Sequence, residues 1–228
     1  MSQESQTPPQ QLQWYRASLP LEGQVIADVG ANVGVLSAFF WEASRGTSRV
    51  ISVEPVAGNV EKIRERVARC GAERWVVEAC AVSGEDGELT LRVEEQPEGG
   101  WNSVAAAAGA LRVPARRLSG LIPEATVVKL DIEGHEYPVL DEALPRMKQV
   151  RAWAIEFHGV DGRPLEQALG KLAAAGYELA AAGRRAGDPG GAWVSAAIPP
   201  TLSWAQIPEG RGRDGAPFRM LHVLARRR

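Results

Sequence analysis

Four short apolar runs, each ending in or beside a carboxylate, constrain the fold of this chain more than any other feature. They occupy residues 24–29, 49–54, 126–131 and 150–157, and the acids are Asp28, Glu54, Asp131 and Glu156. A further run, Trp75 to Ala81, is equally apolar. Between the runs lie stretches with apolar residues at helical spacing. Leu36, Phe39, Phe40 and Ala43 share one face, as do Val60, Ile63, Val67 and Cys70, and Leu165, Ala168, Leu169 and Leu172. Helices are therefore expected over 33–45, about 59–70, 135–144 and 164–175. Asn59 is read as an N-cap and Gly71 as a stop. Strands without polar alternation that take turns with helices form a mostly parallel sheet covered on both faces. Such sheets bind ligands beyond the carboxyl ends of their strands, where these acids stand.

The flanking sequence is less regular. Residues 87–93 alternate apolar and polar, as a strand with one wet face does, and 218–225 read as a last strand. Residues 1–10 are polar and proline-bearing and are expected to be disordered, with a short helix over 11–19. The stretch 94–110 reads as a loop, and 181–217, rich in Gly, Arg and Pro, takes no assignment. The expected organisation is an arm over 1–20 and one domain over 21–228, with 181–217 as its variable segment. A chain of 228 residues can bury a core without staples, and its two cysteines have no metal spacing. A formal net charge of −2 offers no general attraction to nucleic acid or to an anionic membrane. The N-terminus has no apolar core of a signal peptide and no run approaches the ~20 apolar residues of a membrane span. The expectation is a cytoplasmic protein with neither nucleic acid nor membrane as partner.

The loop after the first strand, Asp28-Val-Gly-Ala-Asn-Val-Gly34, narrows the ligand. A dinucleotide fingerprint would need glycines at 32 and 35, where Asn32 and Val35 stand... the spacing fails, and no phosphate loop with Gly-Lys-Ser/Thr follows. S-Adenosylmethionine (SAM) suits the residues better, because it lacks phosphates and carries a sulfonium and an ammonium. Asp28 offers such a ligand a carboxylate, Gly30 and Gly34 let backbone approach it, and Glu54 can accept ribose hydroxyl protons. A nicotinamide oxidoreductase, or a binding protein of this fold without turnover, are the rival readings.

In order, DVGANVG, VEP, ACAVSGEDGELTL, VVKLDIEGHEYPVL and AIEFH resemble the FkbM-type family of SAM-dependent methyltransferases. The resemblance runs over about residues 24 to 160 and is most specific at VVKLDIEGHE. It implies a Rossmann-like fold with a seven-stranded sheet, order 3-2-1-4-5-7-6, its last strand antiparallel. It implies methylation of an oxygen on a small molecule of sugar or natural-product type. Carried onto this chain, Asp28, Gly30, Asn32 and Gly34 line the methionine part, Glu54 holds the ribose, and Cys80, Ala81 and Val82 lie near the adenine. Ser103 matches a polar position before the fourth core strand.

A hydroxyl acceptor must lose its proton, to a base or through a metal that lowers its pKa. His158, two residues past Glu156, is expected as a neutral imidazole base, with Asp131 orienting it or the SAM amine. Asp131, Glu156 and His158 also permit a hard ion such as Mg2+. His222, inside the last strand, is read as packed. Glu133 and Glu136 stand where a helix begins, which alone favours acids, and a structural role for them weighs about equally with a functional one. Trp101 and Asn102 suggest a flap, and Trp193 and Trp204 a small-molecule pocket.

Overall fold

The computed structural model describes residues 9–93, 102–104, 111–159, 163–184, 193–211 and 217–227. Helix α1 (Pro9–Ser18) leads into β1 (Val25–Val29), α2 (Val35–Ala43), β2 (Arg49–Val53), α3 (Ala57–Cys70) and β3 (Trp75–Glu78). Four short strands follow: β4 (Ala81–Ser83), β5 (Gly87–Val93), β6 (Asn102–Val104) and β7 (Leu111–Arg117). Then come α4 (Leu118–Leu121), β8 (Val127–Leu130), α5 (Glu136–Ala143), β9 (Ala152–His158) and α6 (Leu165–Ala174). The chain closes with β10 (Glu178–Arg184), β11 (Trp193–Ala197), β12 (Gly210–Arg211), β13 (Pro217–Phe218) and β14 (Met220–Arg226).

The main sheet has the order β11-β10-β14-β9-β8-β1-β2-β3. Strands β9, β8, β1, β2 and β3 are parallel neighbours, and β14 inserts antiparallel between β9 and β10. Seven of these strands reproduce the expected order. The eighth, β11, adds to the edge antiparallel to β10 and comes from the unassigned segment. A second sheet, order β4-β7-β5-β6, stands apart from the first.

Period-two geometry explains how the core divides. Ala27, Val29, Val128, Leu130, Trp153 and Ile155 face α4, α5 and α6 in one apolar cluster. Ile26, Val127, Ala154 and Leu224 face the opposite way and pack with Trp14, Tyr15, Leu36 and Phe40 of α1 and α2. Helix α1 is thus a core element: Trp14 donates from Nε1 to Ser195 Oγ of β11 at 2.7 Å. Two local expectations change. The run 75–81 is not one strand, because the chain leaves the main sheet after Glu78 and re-enters as β4 in the small sheet. The N-cap of α3 is Val56, and Asn59 lies inside the helix. Gly71 does stop α3, in the left-handed conformation. Trp101 lies outside the described residues, and Asn102 lies in β6.

Candidate active site

A cavity of about 100 Å³ opens at the carboxyl ends of β1, β2 and β8, where ligands of such sheets bind. Gly30, Asn32, Glu54, Cys80, Ala81, Val82 and Asp131 all line it, joined by Leu89 and Leu91 of β5 and by Glu133 and His135. The break between β3 and β4 is what carries Cys80 to Val82 over from the main sheet, so that the small sheet walls the cavity. Burial pushes the Cys80 thiol up to about 11, which leaves it a neutral part of that wall. Ser103 lies in β6, opposite Arg92 in register.

Glu54 is buried at the rim, and both of its carboxylate oxygens accept hydrogen bonds. Its Oε2 accepts from the Asn32 backbone N–H at 2.9 Å, and Oε1 accepts from Val56 N–H at 3.0 Å and from Asn59 Nδ2 at 3.2 Å. Burial outweighs these donors and pushes its pKa up to about 7. Asn32, at φ 51, holds the loop in a left-handed turn that aims its N–H at this carboxylate.

Asp28 and Gly34 stand behind the wall. Asp28 is fully buried, and its Oδ2 accepts from Ser37 Oγ at 2.5 Å. Ser37 in turn accepts from Ser52, and Ser52 from Trp75 Nε1 at 2.7 Å. Lys129 Nζ lies 3.4 Å from Asp28 Oδ1, 3.4 Å from Asp131 Oδ2, and donates to the Gly30 carbonyl at 2.9 Å. Burial opposes the charge of Lys129, but Asp131 and Asp28 outweigh it and hold the pKa above the ordinary lysine value. The glycines answer to the protein's own packing. A Cβ on Gly30, at φ 77, would fall 1.8 Å from the Asp131 carbonyl oxygen, and one on Gly34 would press on Ile63 at 3.0 Å.

The remaining acids gather around His158. Residues 28, 129, 156 and 222 lie on the α1 side of four adjacent strands, in register as Asp28–Lys129 and Glu156–His222. His158 Nδ1 is 3.0 Å from Glu136 Oε1, an oxygen that also accepts from the N–H groups of Ile132 and Gly134. His158 Nε2 is 3.3 Å from Glu133 Oε2 and 3.6 Å from Glu156 Oε1, and Glu156 Oε2 is 3.1 Å from His222 Nδ1. Asp131, Glu156 and His158 each bring one ligand atom to within 4.8 Å of the others.

This setting corrects the expectation of a neutral His158. Burial works against its charge, but the hydrogen bond to Glu136 and the carboxylates of Glu136, Glu133 and Asp131 prevail and push the pKa up to about 10. Held among these carboxylates, the imidazole keeps its proton well above the ordinary histidine range. Burial and then Asp131 hold Glu156 well above the usual carboxylate range. His222 is neutral, pushed down to about 4 by burial, and packs edge-on to Trp193 at 4.7 Å. Tyr15 of α1 is enclosed near the same groups, and burial keeps its hydroxyl protonated.

Two residues outside the expected site line the cavity. Glu133 lines the cavity at φ 55, a backbone state uncommon outside glycine. Burial, opposed by His158 and reinforced by Asp131, pushes it up to about 7. The Gly134 that follows, also at positive φ, was the readable signal of a tight turn there. His135 also lines the cavity, 3.0 Å from Ser83 Oγ, and burial and Arg163 hold its pKa down. Glu136, placed by sequence at the start of a helix, is the fully buried anchor of His158. Trp204 lies outside the cavity wall and donates to Tyr137 Oη at 3.2 Å, while Trp193 sits in the sheet.

Comparison with known proteins agrees with this architecture. Residues 28–179 match the family model of the methyltransferase FkbM domain. A methyltransferase FkbM from Methylobacillus flagellatus KT superposes with a TM-score of 0.50 at 21% identity, over 66% of this chain and 37% of that one. The chain thus spans well under half the length of that protein. A precorrin-6y C5,15-methyltransferase from Geobacter metallireducens GS-15 superposes with a TM-score of 0.55 at 15% identity, over 100% of this chain and 93% of that one. These likenesses establish a Rossmann-like methyltransferase fold. No curated protein matches the chain significantly.

Proposed function

Because the chain belongs to the FkbM methyltransferase-domain family, we propose that it transfers a methyl group from SAM to a hydroxyl oxygen of a small molecule. The observation that carries this reading is one cavity that joins Glu54 at one end to Asp131 and Glu133 at the other. The residues present fit SAM. Glu54 is a fixed carboxylate with an acceptor site left on Oε2 for a ribose hydroxyl, Val82, Leu89 and Leu91 offer an apolar wall to the adenine, and the Gly30–Asn32 backbone borders the methionine part. Asp28 supports that backbone through Lys129. When bound, SAM supplies an electrophilic methyl on a sulfonium.

The chain's own work is alignment and removal of a proton. Alignment of two reactants can supply roughly 7–11 kcal/mol at the upper end. The acceptor oxygen gives its proton to a carboxylate of the Asp131 end, and Glu133 is the one that faces the cavity beside Asp131. Asp131, Glu156 and His158, whose ligand atoms lie within 4.8 Å of one another, would hold a divalent ion beside this end, and such an ion would lower the pKa of a bound hydroxyl. The acceptor is a sugar or natural-product hydroxyl. Among the described residues no helix is long and apolar enough to cross a membrane. The two free cysteines accord with a cytoplasmic setting.

Calorimetry with SAM and S-adenosylhomocysteine tests the cofactor, and transfer of a tritiated methyl to a panel of hydroxylated small molecules tests the reaction. Saturable binding of both ligands and label in an alkali-stable ether are expected. Binding of NAD in place of SAM overturns the reading.

A further inference from the structure

Beside the Asp131–Glu133 end of the cavity lies a buried atom with no hydrogen-bond partner among the described residues. His158 is 7% exposed, yet its Nε2 makes no hydrogen bond among the described residues. The nitrogen is not short of neighbours, since Glu133 Oε2 stands at 3.3 Å and Glu156 Oε1 at 3.6 Å. These approaches lack hydrogen-bond geometry. Neighbouring donors on one cation lie about 3–4 Å apart when its bonds are about 2.1 Å long, and the 3.6 Å separation matches that spacing.

The surroundings of each donor are those of a ligand held from behind. Glu136 Oε1 takes the Nδ1 side of His158 at 3.0 Å and is itself fixed by two backbone N–H groups. A carboxylate on the far nitrogen leaves Nε2 as the atom that binds once the ion displaces its proton, and it sets the plane of the ring. Lys129 Nζ holds Asp131 Oδ2 at 3.4 Å, and His222 Nδ1 holds Glu156 Oε2 at 3.1 Å. Asp131, Glu133, Glu136 and Glu156 crowd this one imidazole. Among the described residues Lys129 is the only buried lysine or arginine, and it is shared with Asp28.

We infer that His158 Nε2, Asp131 and Glu156 form a binding site for a first-row divalent transition ion, of the Mn2+ to Zn2+ class, in preference to Mg2+. The donor set decides the class. Mg2+ takes oxygen ligands and keeps several waters, whereas an imidazole nitrogen beside two carboxylates suits Mn2+, Fe2+, Co2+ or Zn2+. The three atoms, within 4.8 Å of one another, close on such an ion by small side-chain shifts. Binding of the ion stands apart from the methyl-transfer reading; only its use, next to a cavity lined by Asp131, rests on that reading.

The test uses the full chain, stripped with a chelator and titrated in the absence of SAM with MnCl2, ZnCl2 and MgCl2 in turn. Calorimetry should give one site per chain for Mn2+ and Zn2+, with Mg2+ weaker by about a hundredfold, and His158→Gln should cost the Mn2+ site about a hundredfold. Pulsed electron paramagnetic resonance of the Mn2+-loaded wild-type protein should show coupling to one imidazole nitrogen, a readout that needs no variant. Absence of Mn2+ and Zn2+ binding, Mg2+ bound as tightly as Mn2+, or a Mn2+ spectrum without nitrogen coupling each overturns the inference. A protein that binds Mn2+ in this way but never binds SAM refutes the methyl-transfer reading and leaves the ion site standing.

Discussion

The two ends of the cavity use buried carboxylates in opposite ways. At the β2 end Glu54 is surrounded by donors, with three N–H groups on its two oxygens. Behind the β8–β9 end, which Asp131 and Glu133 line, these two acids and Glu136 and Glu156 converge on one imidazole, and among the described residues its Nε2 and Glu136 Oε2 are buried without a hydrogen bond. Buried polar groups are nearly always satisfied in a finished fold. An end that is satisfied by the protein alone is a holder whose shape precedes its ligand. An end with unmet donors and acceptors is one whose last partner comes from outside.

That contrast is broken most directly at Glu133. If the β8–β9 end does chemistry while the β2 end only holds, Glu133→Gln should lower methyl transfer by roughly 10²–10⁴-fold, the usual contribution of a positioned base. Binding of SAM, read by calorimetry, should stay unchanged in the same variant. A parallel loss of SAM binding and turnover would mean that the two ends are one functional unit.

The second effect is smaller and lies at Glu54, whose pKa burial raises to about 7. Ribose hydroxyls need the ionised form as acceptor, so SAM affinity should be level above pH 7 and fall by up to about tenfold per unit below it. Glu54→Gln should flatten that profile at a lower affinity. The effect on folding has the opposite sign. A carboxyl raised in the folded state binds its proton more tightly there than in the unfolded chain. Its stabilising contribution is present below the ordinary carboxylate pKa and is lost as pH rises through about 7. Chemical denaturation across pH 4 to 8, at fixed salt, separates the two trends in wild type and variant.

The sequence disclosed the holder better than the reactive end, and for a physical reason. Strands buried on both faces write themselves as continuous apolar runs, so β1, β2, β8 and β9 were legible, as were the acids at their ends. The small sheet was hidden. In β7 only Val113 and Ala115 are buried, and Pro114 interrupts a run flanked by arginines, which argues against an inner strand. The same applies to β11, whose Val194 is exposed. The state of His158 was out of reach because it depends on Glu136, 22 residues earlier, and on the fold of the loop that delivers it. Asp28 shows the converse limit. It sits at a strand end like Glu54, but the parity of β1 turns it into the sheet's buried face, where Ser37 and Lys129 claim it.

The finest test of the contrast is Asn59→Ala. Asn59 is a buried donor from α3 whose Nδ2 reaches Glu54 Oε1 at 3.2 Å. It steadies the ionised carboxylate, so its loss should cost about 1 kcal/mol of that form, or about 0.7 of a pKa unit upward. Val56 and Asn32 still donate to Glu54, so the loop keeps its shape. At pH 7 the smaller ionised fraction should weaken SAM binding by about threefold, and at pH 9, where Glu54 is ionised in both proteins, the difference should vanish. Equal weakening at both pH values would place Asn59 against the ligand itself. A midpoint that moves down would mean that Asn59 favours the protonated acid, and that the β2 end is not the satisfied holder its hydrogen bonds describe.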